Sequence, residues 1–494
     1  MMAPPARAGH PAGLRTLFFT EMWERFSYYG MRAMLILYMV DASGGLGLDD
    51  QTAAAIYGLY TAAVYVVALP GGWIAGRLIG AQRAIFIGGL IIASGHFTLA
   101  FPGRVPFFLG LLLIICGTGL LKPNISAAVG ELYPQGDGRR DAGFTLFYMG
   151  INIGAFLGPL VCSTLGESGR FGWHWGFAAA GIGMVGGLWY FQRTRHRLGD
   201  AGRLPSLDPT RPADRARIHA GWRAVGTAVA LIVATSTALL TDLVEVDAVA
   251  AAERTGMLIA AVAVAYFVYL FVFAGLSGEE KRRVVVIVIL FLACALFWAG
   301  FEQTGSSFNL FAERYTQRVF AGFEIPAGWF QSINAFFVFT LAPVMAALWV
   351  RLAQRNLDPS TPAKFGLGLI LLGTGFLVMI GAATIVIAGQ QVLPSWLVMT
   401  YLLHTIGELA LSPVGLSATT KLAPHRFAGQ MMGVWFLGTA LGNLVAGLVA
   451  GRFHAEAVTD FPAQFLQISL VCAGAGLLLL ICAKPIRRLM GNVG

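Results

Sequence analysis

Long apolar stretches alternate with short polar or charged segments along almost the whole chain. Each stretch has about the length that an α-helix needs to cross a bilayer, roughly 20 residues. A first group of six helices is predicted near 14–40, 53–76, 83–101, 105–130, 141–166 and 173–192. Two stretches with almost no polar side chains follow near 221–241 and 255–276. Six more are predicted near 284–310, 328–351, 364–388, 395–420, 429–451 and 464–484. The pattern therefore predicts an all-α membrane protein with fourteen transmembrane helices.

The polar segment after the sixth helix divides this pattern into parts. It is rich in arginine and proline, which is typical of an exposed connecting segment. We therefore expect an N-terminal six-helix bundle, a cytoplasmic linker, two additional helices and a C-terminal six-helix bundle. Their predicted bounds are 1–192, 193–220, 221–282 and 283–494.

Composition excludes a soluble fold. Hydrophobic residues make up 57% of the chain and charged residues only 12%, with a mean hydropathy of +0.70. The net charge of +9 does not indicate a nucleic-acid-binding protein, because the basic residues stand at the ends of apolar stretches. The five cysteines show no CxxC spacing, so neither a disulfide framework nor a metal cluster is expected.

Lysine and arginine gather in alternate loops, which assigns those loops to the cytoplasm. The intervening loops are acidic or nearly neutral. An even number of helices then leaves both termini in the cytoplasm. The expected location is the cell inner (plasma) membrane, with several passes and with membrane lipids as neighbours.

An internal repeat is visible in the two six-helix groups. Lys122-Pro123 is followed by Pro134, and Ser412-Pro413 is followed by Pro424, so both groups have two prolines eleven residues apart. In the next helix of each group, Gly150 and Gly154 recur as Gly438 and Gly442 at nearly the same offset. Chance matching is the alternative for each match taken alone. Parallel repeats indicate the major facilitator architecture, in which the substrate lies near the membrane midplane and access alternates between the two sides.

Ionisable residues lie where the membrane makes them costly. Helical spacing puts one set of them on a single face of the first helix: Glu21, Glu24, Arg25, Tyr28 and Arg32. Each charge costs roughly 2.5 to 3.5 kcal/mol at the centre of a membrane helix, so such residues are by default functional. The alternative is a packed ion-pair cluster that contacts no substrate.

Further charges of opposite sign come from the two six-helix groups. Lys122 lies deep in the fourth helix, whereas Glu302 and Glu408 come from the second group. A ligand with one anionic and one cationic end would fit between basic and acidic poles, and peptides, amino acids and betaines all have such ends. If protonation of Glu302 releases Arg32 or Lys122, the freed cation can bind the substrate carboxylate, which couples proton to substrate.

At these residues the chain resembles the proton-dependent oligopeptide transporter family of the major facilitator superfamily. The resemblance rests on five motifs: ExxERFxYYG at Glu21–Gly30, GTGxxKPNIS at Gly117–Ser126, FYxxINxG at Phe147–Gly154, FEQxGSS at Phe301–Ser307 and GELxLSPVGLS at Gly407–Ser417. It implies a proton-coupled symporter, not an enzyme, that imports di- and tripeptides by alternating access. Prokaryotic members of the family are similar in having two extra helices between the bundles.

The resemblance also implies roles for individual residues. Proton coupling would involve Glu21, Glu24, Arg25 and Glu302. Arg32 and Lys122 would bind the peptide carboxylate, Glu408 its amino group, and Asn152 and Asn334 its backbone. Side-chain pockets would be lined by Tyr28, Tyr29, Tyr65, Trp298, Ser412 and Trp435. For Tyr65 and Trp435, ordinary helix packing is the alternative. A monomer without cofactor or metal is expected.

One position departs from the family pattern. The family usually has an aspartate between alanine and arginine after the second helix, but this chain has Gly76 there. Since that aspartate helps to close the cytoplasmic gate, altered gating is expected.

Several other functions remain possible from the residues alone. A carrier of another zwitterion or anion, such as an amino acid or nitrate, could use the same fold, and so could a peptide sensor that transports nothing. A membrane-embedded enzyme would need a nucleophile or metal constellation. His404 and Glu408 stand four residues apart, but a lone pair of this kind is more typical of packing.

Overall fold

The computed structural model describes residues 9–134, 137, 139–203, 212–241, 243–244, 246–453 and 455–491. Residues 204–211 of the predicted linker lie outside the described residues. The helices that precede this gap are α1 (Ala12–Val40), α2 (Asp50–Val66), α3 (Ala68–Ile74), α4 (Ala81–Leu99), α5 (Arg104–Glu131), α6 (Arg140–Gly166) and α7 (Trp173–Thr194). Two helices, α8 (Pro212–Leu240) and α9 (Ala248–Val272), come next.

The remaining helices are α10 (Gly278–Phe301), α11 (Ser307–Tyr315), α12 (Gln331–Gln354), α13 (Thr361–Ile387), α14 (Ser395–Leu422), α15 (Ala428–Ala450), α16 (Phe461–Ile481) and α17 (Ala483–Met490). A short antiparallel hairpin, β1 (Val319–Phe320) and β2 (Phe323–Glu324), lies between α11 and α12. Within the described part of the chain, eleven helical stretches are long and apolar enough to cross a membrane. Helices α1, α4 and α7 add three of spanning length, with 29, 19 and 22 residues. Every predicted stretch is therefore helical.

Two of the predicted stretches are interrupted helices. The second consists of α2, α3 and a π-helical turn at Ala75–Ile79. Pro70 has no N–H for the carbonyl four residues earlier, which accounts for the break between α2 and α3. The other is the predicted stretch 284–310, in which α10 ends at Phe301 and a 3₁₀ turn, Glu302–Gly305, precedes α11. Glu302 thus begins an irregular turn inside a membrane-spanning stretch.

The chain forms two compact units by its internal contacts. One comprises the described residues within 1–31, 67–162 and 174–245, and the other comprises those within 32–66, 163–173 and 246–494. In the first unit α4 packs along α5 over a core of buried aliphatic and aromatic side chains. In the second unit α13 packs against α14 and α16, and α15 packs against α2, α9 and α10. The domain boundaries expected from the sequence stay a prediction.

The recurring glycines make equivalent close approaches in the two units. A Cβ on Gly154 would stand 2.1 Å from the Met22 carbonyl oxygen of α1. A Cβ on Gly442 would stand 2.6 Å from the Ala295 carbonyl oxygen of α10. Only glycine allows backbones to come so close. The small-residue pattern in the sequence therefore predicted real helix contacts, and they repeat from one unit to the other.

Candidate functional site

The charged face of α1 forms a buried ion-pair cluster in the first unit. Arg25 donates two hydrogen bonds to the Glu24 carboxylate, one of them at 2.7 Å from Nη2 to Oε1. Its Nε also lies 3.4 Å from Glu21 Oε1. All three side chains are at most 3% exposed. The single guanidinium thus compensates two carboxylates, and Glu21 Oε2 has no hydrogen-bond partner among the described residues.

Other predicted site residues of the first unit surround this cluster. The Arg25 guanidinium lies over the Tyr28 ring, 4.9 Å from its centroid, and 5.8 Å from the centroid of Tyr29. The charge of Lys122 acts electrostatically on Glu21. Asn152 is buried and donates to the Tyr148 carbonyl of its own helix at 2.9 Å. The structure therefore brings the tyrosines and Lys122 to the carboxylate cluster, whereas one of the two Asn152 amide N–H groups donates within α6.

A second ion pair joins Arg32 of α1 to Glu302 in the second unit. Arg32 Nη2 donates to Glu302 Oε2, and Arg32 Nε donates to the Tyr57 hydroxyl at 2.5 Å. Glu302 is 3% exposed and Arg32 is 9% exposed. Gly305 makes room for this arrangement, because a Cβ there would lie 1.8 Å from the Tyr57 hydroxyl. Removal of one partner from a buried pair costs about 3–5 kcal/mol, since the other charge is left uncompensated.

Tyr57 was missed by the sequence analysis. It lies on α2, within an apolar stretch that contains several aromatic residues, and it is 1% exposed. Nothing in the local sequence marks its hydroxyl as a partner for Arg32. Only the packing of α2 beside the turn after α10 brings the two side chains together.

Glu408 is held by an amide donor in the same unit. Asn334 Nδ2 of α12 donates to Glu408 Oε2 at 3.0 Å and lies at the same distance from Thr405 Oγ1. The charge of Glu302 acts on Glu408, so the two carboxylates belong to one electrostatic environment. The second unit therefore holds two pairs of predicted site residues, Arg32 with Glu302 and Asn334 with Glu408. The charge interaction between the two carboxylates links these pairs.

The remaining predicted pocket residues differ in their contacts. Trp298 packs edge-on against Phe301, and neither its Nε1 nor Ser412 Oγ has a hydrogen-bond partner among the described residues. Trp435 is 7% exposed, lies edge-on to Phe365 and is closely approached by Gly415. Tyr65 packs against an apolar cluster formed by α2, α9 and α15. These contacts leave polar atoms available on Trp298 and Ser412 and favour a packing role for Tyr65 and Trp435.

The structure also shows a polar cavity that the sequence analysis missed. It has a volume of about 730 Å³ and lies in the second unit, where α1, α6 and α11 end and α12 begins. Glu167, one residue beyond α6, lines it and accepts hydrogen bonds from the backbone N–H groups of Ala327 and Gly328, at 2.5 and 2.8 Å. Burial raises the pKa of Glu167 to about 7, although these hydrogen bonds oppose the shift. The protonatable Glu167 thus links the end of α6 to the 3₁₀ turn Ala327–Phe330 that directly precedes α12; this turn and α12 are together called the α12 segment.

The cysteines and His404 have clear surroundings among the described residues. Within the part of the chain that the structure describes, no group of three or more histidine, cysteine or acidic side chains could hold a metal ion. All five cysteines are free. His404 Nε2 lies 3.1 Å from the Leu372 carbonyl oxygen, and its ring packs against Phe308 and Phe376. His404 is therefore a packing residue rather than part of a metal site with Glu408.

Comparisons with known proteins agree with this architecture. A family model described as the POT family matches residues 82–465. A peptide transporter of Yersinia enterocolitica subsp. palearctica is 44% identical over 98% of this chain and 96% of its own. A di-/tripeptide transporter of Lactococcus lactis subsp. cremoris is 38% identical over 98% of this chain and 97% of its own.

Solved structures give the same result. The crystal structure of a peptide transporter POT in complex with sulfate has a TM-score of 0.88 at 43% identity and covers 99% of this chain and 97% of its own. A POT family transporter in complex with 5-aminolevulinic acid has a TM-score of 0.85 at 33% identity, with 97% and 98% coverage. The predicted fold, an all-α membrane protein of the major facilitator type, is thereby confirmed, and the helices agree approximately with the predicted number of fourteen. The motifs, the buried charges and these matches together show that the chain belongs to the POT family of transporters.

Proposed function

We propose that this chain is a proton-coupled symporter that imports di- and tripeptides by alternating access. The observation that carries the proposal is the pairing of Arg32 with Glu302 in the unit that also holds Glu408 on Asn334. These groups offer a cation for a carboxylate and carboxylates for an ammonium group, which are the two ends of a free peptide. The names of the relatives support the same substrate class.

Proton coupling follows from competition for one guanidinium. While Glu302 is ionised, its negative charge holds Arg32. A proton on Glu302 cancels that charge, so Arg32 becomes available to the substrate carboxylate. Glu408 receives the amino group, and a peptide long enough to reach both ends is held more tightly than a fragment. Proton binding and substrate binding then favour each other, because they share the same ion pair.

The other predicted residues act around this core. Glu21, Glu24 and Arg25 belong to the proton-coupling cluster, where one arginine compensates two carboxylates. Lys122 contributes to binding of the carboxylate, and Asn152 and Asn334 to binding of the backbone. Tyr28, Tyr29, Trp298 and Ser412 line the side-chain pockets. Tyr65 and Trp435 support these pockets through packing.

We place the protein in the inner (plasma) membrane as a multi-pass monomer surrounded by lipids, with both termini in the cytoplasm. The support is the alternation of basic loops with acidic or neutral ones along the chain.

The test is uptake of labelled dialanine into proteoliposomes with an inward proton gradient. Wild-type protein should accumulate the peptide, and an ionophore should abolish accumulation. Glu302→Gln should abolish proton-driven accumulation while it retains exchange of labelled for unlabelled peptide, because the amide mimics the protonated carboxyl group. Glu253→Gln, on the exposed surface of α9, removes one carboxylate elsewhere and should accumulate dialanine like wild type.

A second candidate substrate is another small zwitterion. A relative at 33% identity was crystallised with 5-aminolevulinic acid, which also carries an amino group and a carboxylate. Competition assays separate the two possibilities. Strong inhibition of dialanine uptake by dipeptides and weak inhibition by single amino acids supports peptides, and the reverse order contradicts the proposal. Binding of dialanine without any uptake into competent vesicles would indicate a sensor.

A further inference from the structure

A basic cavity lies at the arginine-rich end of the first unit. Its volume is about 490 Å³, and it is bounded by the first turns of α4 and by the chain that follows α7. Three arginines line it, Arg83, Arg195 and Arg203, together with the apolar side chains of Phe86 and Ile87. It lies apart from the charged residues proposed for transport.

The cavity is built by ordered contacts. The backbone N–H of Gln82 donates to the Gly202 carbonyl at 3.0 Å, and its side-chain amide donates to the Ala201 carbonyl at 2.7 Å. The backbone N–H of Gly202 in turn donates to Glu131 of α5 at 2.6 Å. Helices α4 and α5 therefore fix the turn that carries Arg203. The arginines are held beside one another by the fold.

Two of the three arginines keep their charge available. Arg203 pairs with Asp200, but both side chains are largely exposed, 66% and 93%, so this pair is weak. Arg83 and Arg195 are exposed and form no ion pair or hydrogen bond with any described residue. Since guanidinium groups bind phosphate oxygens through two parallel hydrogen bonds, the cavity offers matching donors for a phosphate ester.

Apolar side chains run from the cavity along the outer faces of two packed helices. Phe86 of α4 stacks on Phe191 of α7 with ring centroids 6.4 Å apart. On α4, Ile87, Leu90 and Phe97 are exposed at helical spacing. On α7, Ile182, Val185 and Trp189 are exposed in the same way. In a membrane these two stripes face acyl chains, and both lead to the arginines. A ligand that fits has an anionic head and apolar tails.

We infer that this cavity binds the phosphate headgroup of an anionic phospholipid, with the acyl chains along the outer faces of α4 and α7. The positive-inside pattern puts the cavity at the cytoplasmic leaflet, where anionic lipids attract basic residues. A soluble phosphate ester would satisfy the arginines and leave the stripes unused. Phosphatidylcholine would cover the stripes, but its choline cation opposes the arginines.

The test is native mass spectrometry of the detergent-purified full chain titrated with phosphatidylglycerol or with phosphatidylcholine of the same acyl chains. One phosphatidylglycerol should bind at lower concentration than any phosphatidylcholine. Removal of each arginine should weaken this binding about fivefold, from the contribution of one basic side chain near a lipid surface. The double variant Arg83→Gln with Arg195→Gln should therefore lose selectivity for the anionic lipid. Arg195→Lys should bind with intermediate affinity, because lysine keeps the charge without the fork of donors.

The matched control is Arg197→Gln with Arg217→Gln, which removes the same charge from exposed positions that do not line the cavity. Its affinity for phosphatidylglycerol should stay within twofold of wild type. An equal loss in this control would show diffuse charge attraction and overturn the inference. Equal affinity for phosphatidylcholine would also overturn it, as would displacement of the lipid by soluble glycerol phosphate at comparable concentration.

Discussion

Arg32 on α1 pairs with Glu302 in the turn after α10, and the same guanidinium donates to the Tyr57 hydroxyl. The arginine therefore has both a charged and a neutral partner in this conformation. A proton on Glu302 frees the Arg32 Nη2 donor for a substrate, while Arg32 Nε still donates to the Tyr57 hydroxyl. The hydrogen bond to Tyr57 and the ion pair with Glu302 together stabilise the conformation in which Arg32 bridges α2 and the turn after α10.

Tyr57→Phe is expected to weaken this conformation. The ring remains, but Arg32 Nε loses its acceptor, and a lost hydrogen bond to a charged group costs about 1.5–3 kcal/mol. Thermal unfolding in detergent should occur at lower temperature, and Arg32 should be released to substrate more easily. Tyr269→Phe, at an exposed position of α9, is the control and should unfold like wild type. Unchanged unfolding of Tyr57→Phe would contradict the importance of this hydrogen bond.

Asn334→Ala is expected to raise the apparent KM for dipeptides. Glu408 then loses the amide that orients its carboxylate, and one hydrogen bond to a charged group is worth roughly tenfold in affinity. Uptake measured over a range of dialanine concentrations should show a higher KM with a smaller change in maximal rate. Asn443→Ala is the matched control, because that buried amide donates to the Thr439 carbonyl of its own helix rather than to a carboxylate. A KM that rises equally in both variants would indicate a general packing defect.

Glu167 is expected to make the contact between the end of α6 and the start of the α12 segment pH-dependent. Its pKa of about 7 here lies above the ordinary value of 4.5, so this conformation binds the proton more tightly than an opened one. The contact is therefore most stable below about pH 4.5 and loses stability as pH rises through about 7. Since the two pKa values differ by about 2.5, the ratio of closed to open protein should fall by roughly two orders of magnitude across this range.

Distances between spin labels at Ser168 and Phe323, which line the same cavity, measure this opening. Wild-type protein should show longer distances at pH 8 than at pH 5. Glu167→Gln should remove the dependence, because the amide cannot ionise. Glu313→Gln in the same cavity is the control and should keep it. A pH response that persists in Glu167→Gln would assign the effect to another group.

Gly76→Asp is expected to shift the gating equilibrium. Gly76 lies in the π-helical turn, and a Cβ added there meets nothing within 4 Å. If an aspartate at this position closes the cytoplasmic gate as in the family, the variant should favour the outward-open state. Accessibility of cytoplasmic and external labels, together with transport rate, measures the shift. Gly76→Asn controls for side-chain size, and unchanged accessibility and rate in Gly76→Asp would rule out altered gating.

The local patterns were sufficient for much of the architecture. Apolar stretches of spanning length predicted every membrane helix, because the bilayer requires that backbone polar groups be satisfied within a helix. The spacing of Gly154 and Gly442 predicted close helix approach, since only glycine permits it. Intramembrane charges identified Glu21, Glu302 and Glu408 as candidates without any knowledge of their neighbours.

These local patterns could not predict which buried side chains form ion pairs and hydrogen bonds with one another. The sequence left Arg32 and Lys122 as alternatives for Glu302, and the structure shows an ion pair between Arg32 and Glu302. Tyr57 and Glu167 were missed, because their roles depend on which helix ends meet and not on any local signal. Tyr65 was named as a candidate, but the choice between lining a pocket and packing depended on its contacts with α9 and α15.

The sequence by itself determined which segments enter the membrane and which charges are costly there, since both follow from transfer free energies of single residues. Only the tertiary structure decided which charges compensate one another, because hydrogen-bond geometry depends on the rotation and depth of whole helices. A shift of one residue along a helix turns a side chain by about 100°. The pairs Arg32–Glu302 and Asn334–Glu408 are therefore properties of the packed helices rather than of any one segment.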